Sequence, residues 1–202
     1  QFTGSESVIN TNARININFN HPVKELIWVA EPDVQSFVRN DDAAGVGSTT
    51  WQVGASNSTS SGTVTYTGLN DVFNFSNDPT AENKHIHCNP TQTGTLYLNG
   101  HERETTRTGD YFNLTVPWES HSRTPSCGVN VISFAIKPEE HQPSGTCNYS
   151  RIDKAVLSLS LRTFHRGHST NASNNAYNLS VYAVNYNVLR IMSGMGGLAY
   201  SN

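Results

Sequence analysis

From Lys154 to Phe164 apolar and polar side chains alternate with a period of two. Ala155, Leu157, Leu159 and Leu161 fall on one face, and Val156, Ser158, Ser160 and Arg162 on the other. This is the pattern of a long strand with one face in a core and the other largely wet. The stretch Pro143 to Asp153 feeds it, and there Pro143 and Gly145, two apart, set a bend. Such a strand is stable only when flanked by others, so a turn-strand unit of this kind commits the chain to sheet structure.

The remaining periodicity agrees. Ile15, Ile17 and Phe19 alternate with Arg14, Asn16 and Asn18, a half-buried strand over 13–20. Pro22 interrupts it before an apolar run from Lys24 to Ala30. Proline lacks the donor a central ladder needs, so it marks a bend or edge where a strand crosses between sheets. Residues 63–75 alternate again. Leu96 and Leu98 define a short strand over 95–101, turned by the hairpin dipeptide Asn99-Gly100. Residues 111–118 fit a helix or a strand equally. Val129 to Lys137 reads as a strand with Ile132, Phe134 and Ile136 inward, and Tyr177 to Met192 as a long terminal strand with Leu179, Val181 and Ala183 inward. About eight strands, turn residues between them and no amphipathic helix give an antiparallel β-sandwich.

At 202 residues the chain can bury roughly 70% of its unfolded surface in one core. A net charge of -3, from 13 basic and 16 acidic residues, argues against electrostatic wrapping of nucleic acid or docking on an anionic membrane. No apolar run reaches the roughly 20 residues that cross a bilayer, and the first residues lack the basic-then-apolar order of a secretory signal. Cys88, Cys127 and Cys147 are an odd set without a Cys-x-x-Cys, so reduced thiols and folding in a cytosol are expected. Two polar stretches, 31–62 and 77–93, read as long connections.

The run Gln142-Pro143-Ser144-Gly145-Thr146-Cys147-Asn148-Tyr149-Ser150-Arg151-Ile152-Asp153 resembles the signature of the major capsid proteins of the nucleocytoplasmic large DNA viruses, most closely the algal-virus branch that includes the chloroviruses. Phe2 to Glu6, Asn18 to Pro22 with Lys24 and Trp28, and the tail from Asn185 to Asn202 agree with it in order. The resemblance implies an eight-stranded jelly roll, the second of two in a double jelly-roll protein. Residues 1–202 would then be one domain, with 1–12 as linker from a preceding jelly roll, which also accounts for the absence of an initiator Met at Gln1. It implies a structural protein of the virion, assembled in the host cytoplasm. Three copies would form a pseudo-hexagonal capsomer that tiles an icosahedral shell, with minor capsid proteins beneath and no cofactor, nucleic-acid partner or membrane insertion.

Catalytic and metal chemistry are weakly encoded. His85-Ile86-His87-Cys88 has metal-ligand types on one potential strand face, but the Glu that a cupin-like metalloenzyme needs is missing from Cys88 to Gln92. His165 and His168 sit in a polar loop. Asp41-Asp42 and Glu139-Glu140 lack the apolar neighbours that raise a carboxyl pKa for acid catalysis. Nothing orients a base beside Cys127, although His121 is near in sequence. Gly194-Met195-Gly196-Gly197 follows the last strand instead of joining strand to helix, so it reads as a tail packing on a neighbour and not as a phosphate loop. Arg151 and Asp153, two apart, are expected on one strand face as a pair pinning the register at the Gly145 turn or at a seam with a partner. Of the Asn-x-Ser/Thr sequons, Asn57 and Asn171 lie in loops suited to glycans, as the resemblance leads one to expect. Exposed Trp51 or Trp118 would serve the rival reading, a lectin-like carbohydrate-binding sandwich.

Overall fold

The computed structural model describes residues 1–8, 11–32, 75, 89–162 and 177–200. Eight strands carry the architecture: β1 (Phe2–Val8), β2 (Asn12–Ile17), β3 (Pro22–Pro32), β4 (Thr91–Leu98), β5 (His101–Thr108), β6 (Val129–Ser133), β8 (Ala155–Leu161) and β9 (Tyr177–Asn185). A two-residue β7 (Cys147–Asn148) pairs with the start of β3. β10 (Leu189–Met192) and β11 (Met195–Leu198) form a separate hairpin.

The two main sheets run in the orders β1-β9-β3-β6 and β2-β8-β4-β5, with every pair antiparallel. Successive strands alternate between the sheets except at the β4–β5 hairpin. Later strands slot between earlier ones, β8 between β2 and β4, and β9 between β1 and β3. This is the eight-stranded jelly roll expected from the resemblance. Pro22 stands where the chain leaves one sheet for the other. His21 before it takes φ 68°, and β2 and β3 lie in different sheets, so the proline does mark a crossing.

Inward residues meet in one core. Ala13, Ile15 and Ile17 from β2 and Ala155, Leu157, Leu159 and Leu161 from β8 face Leu26, Trp28 and Ala30 from β3 and Tyr177, Leu179, Val181 and Ala183 from β9. The organising strand therefore behaves as its alternation requires, with one difference. Val156 on its outer face is also buried, flanked in register by Tyr97 of β4 and Asn16 of β2.

Several boundaries differ from the sequence reading. Residues 2–8, expected within a linker, form edge strand β1, paired along β9. Alternation gives no sign of β5, whose return only the Asn99-Gly100 turn announces. Its sequence, His101 to Thr108, has no aliphatic residue, and it is a strand because Asn99 (φ 50°) and Gly100 (φ 85°) turn it back onto β4. β4 begins at Thr91, inside the expected polar connection. β6 ends at Ser133, whose Oγ donates to Ala135 O at 2.6 Å and bends the chain. Phe134 still packs on the core, but Ile136, expected inward, is exposed.

The crossing from edge β5 to edge β6 is helical: a π-helical turn, Tyr111–Thr115, then α1 (Val116–Ser120) with Pro117 in its first turn. It drives Phe112 into the core, edge-on to Trp28 with ring centroids 5.1 Å apart. A buried polar network sits alongside. The Trp28 Nε1–H donates to Thr91 Oγ1 at 3.3 Å, and Asn130 Nδ2 donates to the same oxygen at 3.2 Å. Asn89 Nδ2 donates to Asn130 Oδ1 at 2.6 Å and to Gly109 O at 3.0 Å, while Asn89 Oδ1 accepts from Thr91 N.

A Cβ on Gly109 would lie 1.9 Å from Thr91 O. Gly109→Ala must therefore push β4 away from the helical crossing. We expect it to destabilise the fold by about 1–3 kcal/mol or more, read as a lowered midpoint in chemical denaturation.

Candidate functional site

The signature turn is anchored from within. Asn148 Oδ1 accepts from Ser150 N at 3.1 Å and so caps the 3-10 turn Tyr149–Arg151. Ser150 Oγ accepts from His21 N at 2.8 Å, and Tyr149 N donates to His21 O at 3.1 Å, fastening the turn to the β2–β3 crossing. Lys154 N donates to Asn99 Oδ1 and Asn99 N to Lys154 O, fastening its exit to the β4–β5 hairpin. The Tyr149 ring is buried, meeting Phe19 and Phe134 edge-on. Gly145 holds φ 146°, and a Cβ there would lie 2.6 Å from Phe134 O, so both the turn and the close approach require glycine.

Arg151 and Asp153 are not on a strand face. Arg151 ends the 3-10 turn and Asp153 lies in the bend after it. Both are exposed, and neither makes an ion pair among the described residues. The 3-10 turn rotates the two side chains out of the two-residue alternation that would align them. Within the chain, uncharged side chains and backbone groups hold this segment.

Most of the catalytic and metal candidates lie outside the described residues. No cluster of three or more metal-ligating side chains occurs among the described residues. His85, His87, Cys88, His165, His168, Asp41, Asp42, Trp51, Asn57 and Asn171 lie outside them. Glu139 accepts from the N–H and Oγ–H of Ser122, and Glu140 pairs with Lys137 at the surface. Cys127 is disulfide-bonded and Cys147 is free, so the expectation of reduced thiols fails at Cys127. Bridging depends on which loops the fold juxtaposes, which spacing along the chain does not encode. Burial pushes the Cys147 thiol up, opposed by the Arg103 charge, so it is a poor nucleophile at neutral pH.

Sequence reasoning missed one buried ionisable contact. Glu25, on the outer face of β3, is 8% exposed, and its Oε2 lies 2.7 Å from His121 Nε2 at the exit of α1. The partners are 96 residues apart and no motif links them.

What the described surface offers is apolar side chains without a core. All eight residues of β10 and β11 are exposed, among them Leu189, Ile191, Met192, Met195 and Leu198. The expected terminal strand breaks after Asn185. Ser193 (φ 50°) and Gly194 (φ 80°) make a tight turn, and β10 pairs only with β11. The Ser-Gly dipeptide was the available signal. Near the first sheet's edge Phe2 stacks on Tyr182 at 4.8 Å, both part-exposed. Leu114 and Trp118 stand out from the helical crossing, Trp118 at 77% exposure. No helix among the described residues is long and apolar enough to cross a membrane.

A sequence model of the family described as large eukaryotic DNA virus major capsid protein matches residues 1–197. The chain is 40% identical to a major capsid protein of Phaeocystis pouchetii virus, an alignment covering all of this chain and 47% of that protein. It is 36% identical to the major capsid protein of Paramecium bursaria Chlorella virus 1, again over the whole chain and 47% of the relative. Among solved structures, PBCV-1 VP54, fitted into a reconstruction of the virophage Sputnik, superposes with a TM-score of 0.69 at 33% identity, covering 100% of this chain and 50% of that one. The chain thus spans about half the length of these relatives.

Tyr149 generates a prediction. Its hydroxyl is buried without a hydrogen-bond partner, and burial, helped by the Cys147 charge, pushes its pKa well above the usual 10.0. The folded state therefore holds this proton more tightly than the unfolded chain does. The contribution is complete below about pH 10 and is lost as pH rises beyond it, at up to about 1.4 kcal/mol per pH unit. Tyr149→Phe should leave the pH 7 melting temperature unchanged or raised, and should flatten the alkaline loss in a pH series of thermal melts.

Proposed function

This chain belongs to the large eukaryotic DNA virus major capsid protein family, and from that premise we propose that it is one jelly roll of a tandem pair whose copies build an icosahedral virion shell. In this reading three full-length chains give a pseudo-hexagonal trimer, trimers meet edge to edge, and minor capsid proteins lie beneath them. The role is structural: shape and repeated association, with no catalytic step. Relatives matched over the whole chain are named major capsid proteins, and a capsid containing the Paramecium bursaria Chlorella virus 1 protein has itself been solved.

One physical observation supports the reading most directly. The sandwich fills its own interior, yet a row of large apolar side chains, Leu189, Ile191 and Leu198, stands on one face of a hairpin that contributes nothing to that core. A two-stranded hairpin is marginal alone in water. Contact with a neighbouring subunit would remove its apolar area from solvent, as part of the ~1,200–2,000 Å² that a stable interface buries.

The double substitution Ile191→Asp and Leu198→Asp, made in the full-length protein, should weaken association at least about tenfold, since each places a carboxylate where apolar contact is needed. Monomer melting should be unchanged. Light scattering after size exclusion reads the first and circular dichroism the second; assembly as strong as wild type would remove the hairpin from the interface. Asn57 and Asn171 are proposed glycan sites, and a preceding jelly roll is proposed upstream. Intact mass of virion-derived protein tests both: a chain about twice this length supports the tandem arrangement, and a mass with no excess over the polypeptide rejects the glycans.

A further inference from the structure

We propose that His121 and Glu25 form a proton-operated clasp, which fastens the helical crossing 111–120 to the outer face of the first sheet. The inference is independent of the capsid reading and rests on four groups whose hydrogen bonds can be counted.

Glu25 projects from β3 on the side away from the core, opposite to Leu26 and Trp28, and is nonetheless buried. Its neighbours in register are Ser133 of β6 and Val184 of β9, neither of which carries charge. The partner of the carboxylate is His121 Nε2 at 2.7 Å. The other ring nitrogen, Nδ1, lies 2.9 Å from Ser120 Oγ. Val116 O, 2.7 Å from that hydroxyl and one turn back in α1, can only accept. With the hydroxyl's single proton satisfying Val116 O, a lone pair faces the imidazole.

Both ring nitrogens consequently face acceptors. An imidazole donates from both only when it carries two protons. All three hydrogen bonds are satisfied together by an imidazolium against a carboxylate, the charge-assisted case. Removing a proton from the ring leaves one nitrogen as an acceptor. Ser120 must then abandon Val116 O to donate to Nδ1, or Glu25 must itself bind a proton. Either way the corner loses a bond in a part-buried place where an unmade bond is costly.

The other charged groups here are engaged elsewhere or exposed. Lys24, beside Glu25 in sequence, donates to Pro138 O and lies over the Tyr186 ring at 5.1 Å. Glu139, from the loop after β6, accepts from Ser122, and Lys137 pairs with Glu140. Glu119 and Arg123, which flank His121 in sequence, are exposed. The His121 backbone N–H donates to Pro117 O at 2.8 Å, so the side-chain clasp and the end of α1 are one unit. Its state sets how firmly the crossing, with exposed Leu114 and Trp118, is held.

The test is a pH series on the full chain across about pH 5 to 9, where imidazoles change charge. It combines nitrogen NMR of the His121 ring with hydrogen exchange of the 111–120 amides, corrected for intrinsic rates. The expected result is a doubly protonated ring at the acidic end. As the second proton leaves, exchange in 111–120 should rise about five- to tenfold while β8 amides are unaffected, the scale of one lost hydrogen bond. His121→Gln and Glu25→Gln, which keep polar contact without the ion pair, should show fast exchange in this segment with no pH step. A ring singly protonated throughout the series, or a second proton lost with no change in exchange, would overturn the proposal, and the wild-type series alone decides it if a variant does not fold.

Discussion

The sandwich is keyed to the buried corner at Trp28. Its ring faces inward from β3, takes the edge of Phe112 from the helical crossing, and has its single donor met by Thr91 of β4. Thr91 and Asn89 engage Asn130 of β6, and Asn89 also holds Gly109 at the end of the β4–β5 hairpin. Three strands from two sheets and the connection that closes one side between edges β5 and β6 thus share one fully partnered polar network. Such a network is worth having only when complete, because each member left unpaired in a low-dielectric interior costs more than its bond contributes. The relative placement of the sheets follows from that completeness.

Around this corner the chain divides its labour by chemistry. Residues 142–153 act as an internal clamp. Tyr149 enters the aromatic cluster with Phe19 and Phe134, Asn148 Oδ1 caps the turn from within, and side-chain oxygens of Ser150 and Asn99 tie it to two other connections. The stretch most diagnostic of the family is therefore a packing and capping element. The surface most suited to meeting other molecules lies elsewhere, on the terminal hairpin and the helical crossing, where apolar side chains have no partner in the core.

Much of the fold was legible because period-two burial is a local signal. The inward sets of β2, β8 and β9 follow directly from alternation, and Asn99-Gly100 announces its hairpin. β1 and β5 were not legible, since Phe2–Val8 and His101–Thr108 carry too few apolar residues to show a face. Edge strands are defined by the neighbour they pair with. Residues 111–118 stayed ambiguous because aromatic and β-branched residues there favour strands, whereas the span between two edges and the Pro117 start favour a helix. Ile136 was misplaced by extending alternation past the bend at Ser133. The His121–Glu25 contact and the disulfide at Cys127 depend on tertiary juxtaposition, and the expected Arg151–Asp153 alignment was undone by a single 3-10 turn.

The interleaved strand order has a consequence for how the molecule is made. β9 occupies the middle of its sheet, flanked by β1 and β3, and β8 is likewise flanked by β2 and β4. On the ribosome, β1 to β4 emerge with vacant slots between them and open ladder edges facing each slot. Neither sheet can zip up until the last two of the eight strands have been synthesised. Such late, long-range closure slows folding and leaves the nascent chain exposed to wrong pairings. The yield of folded chains is then governed by how well unfinished ones are kept apart.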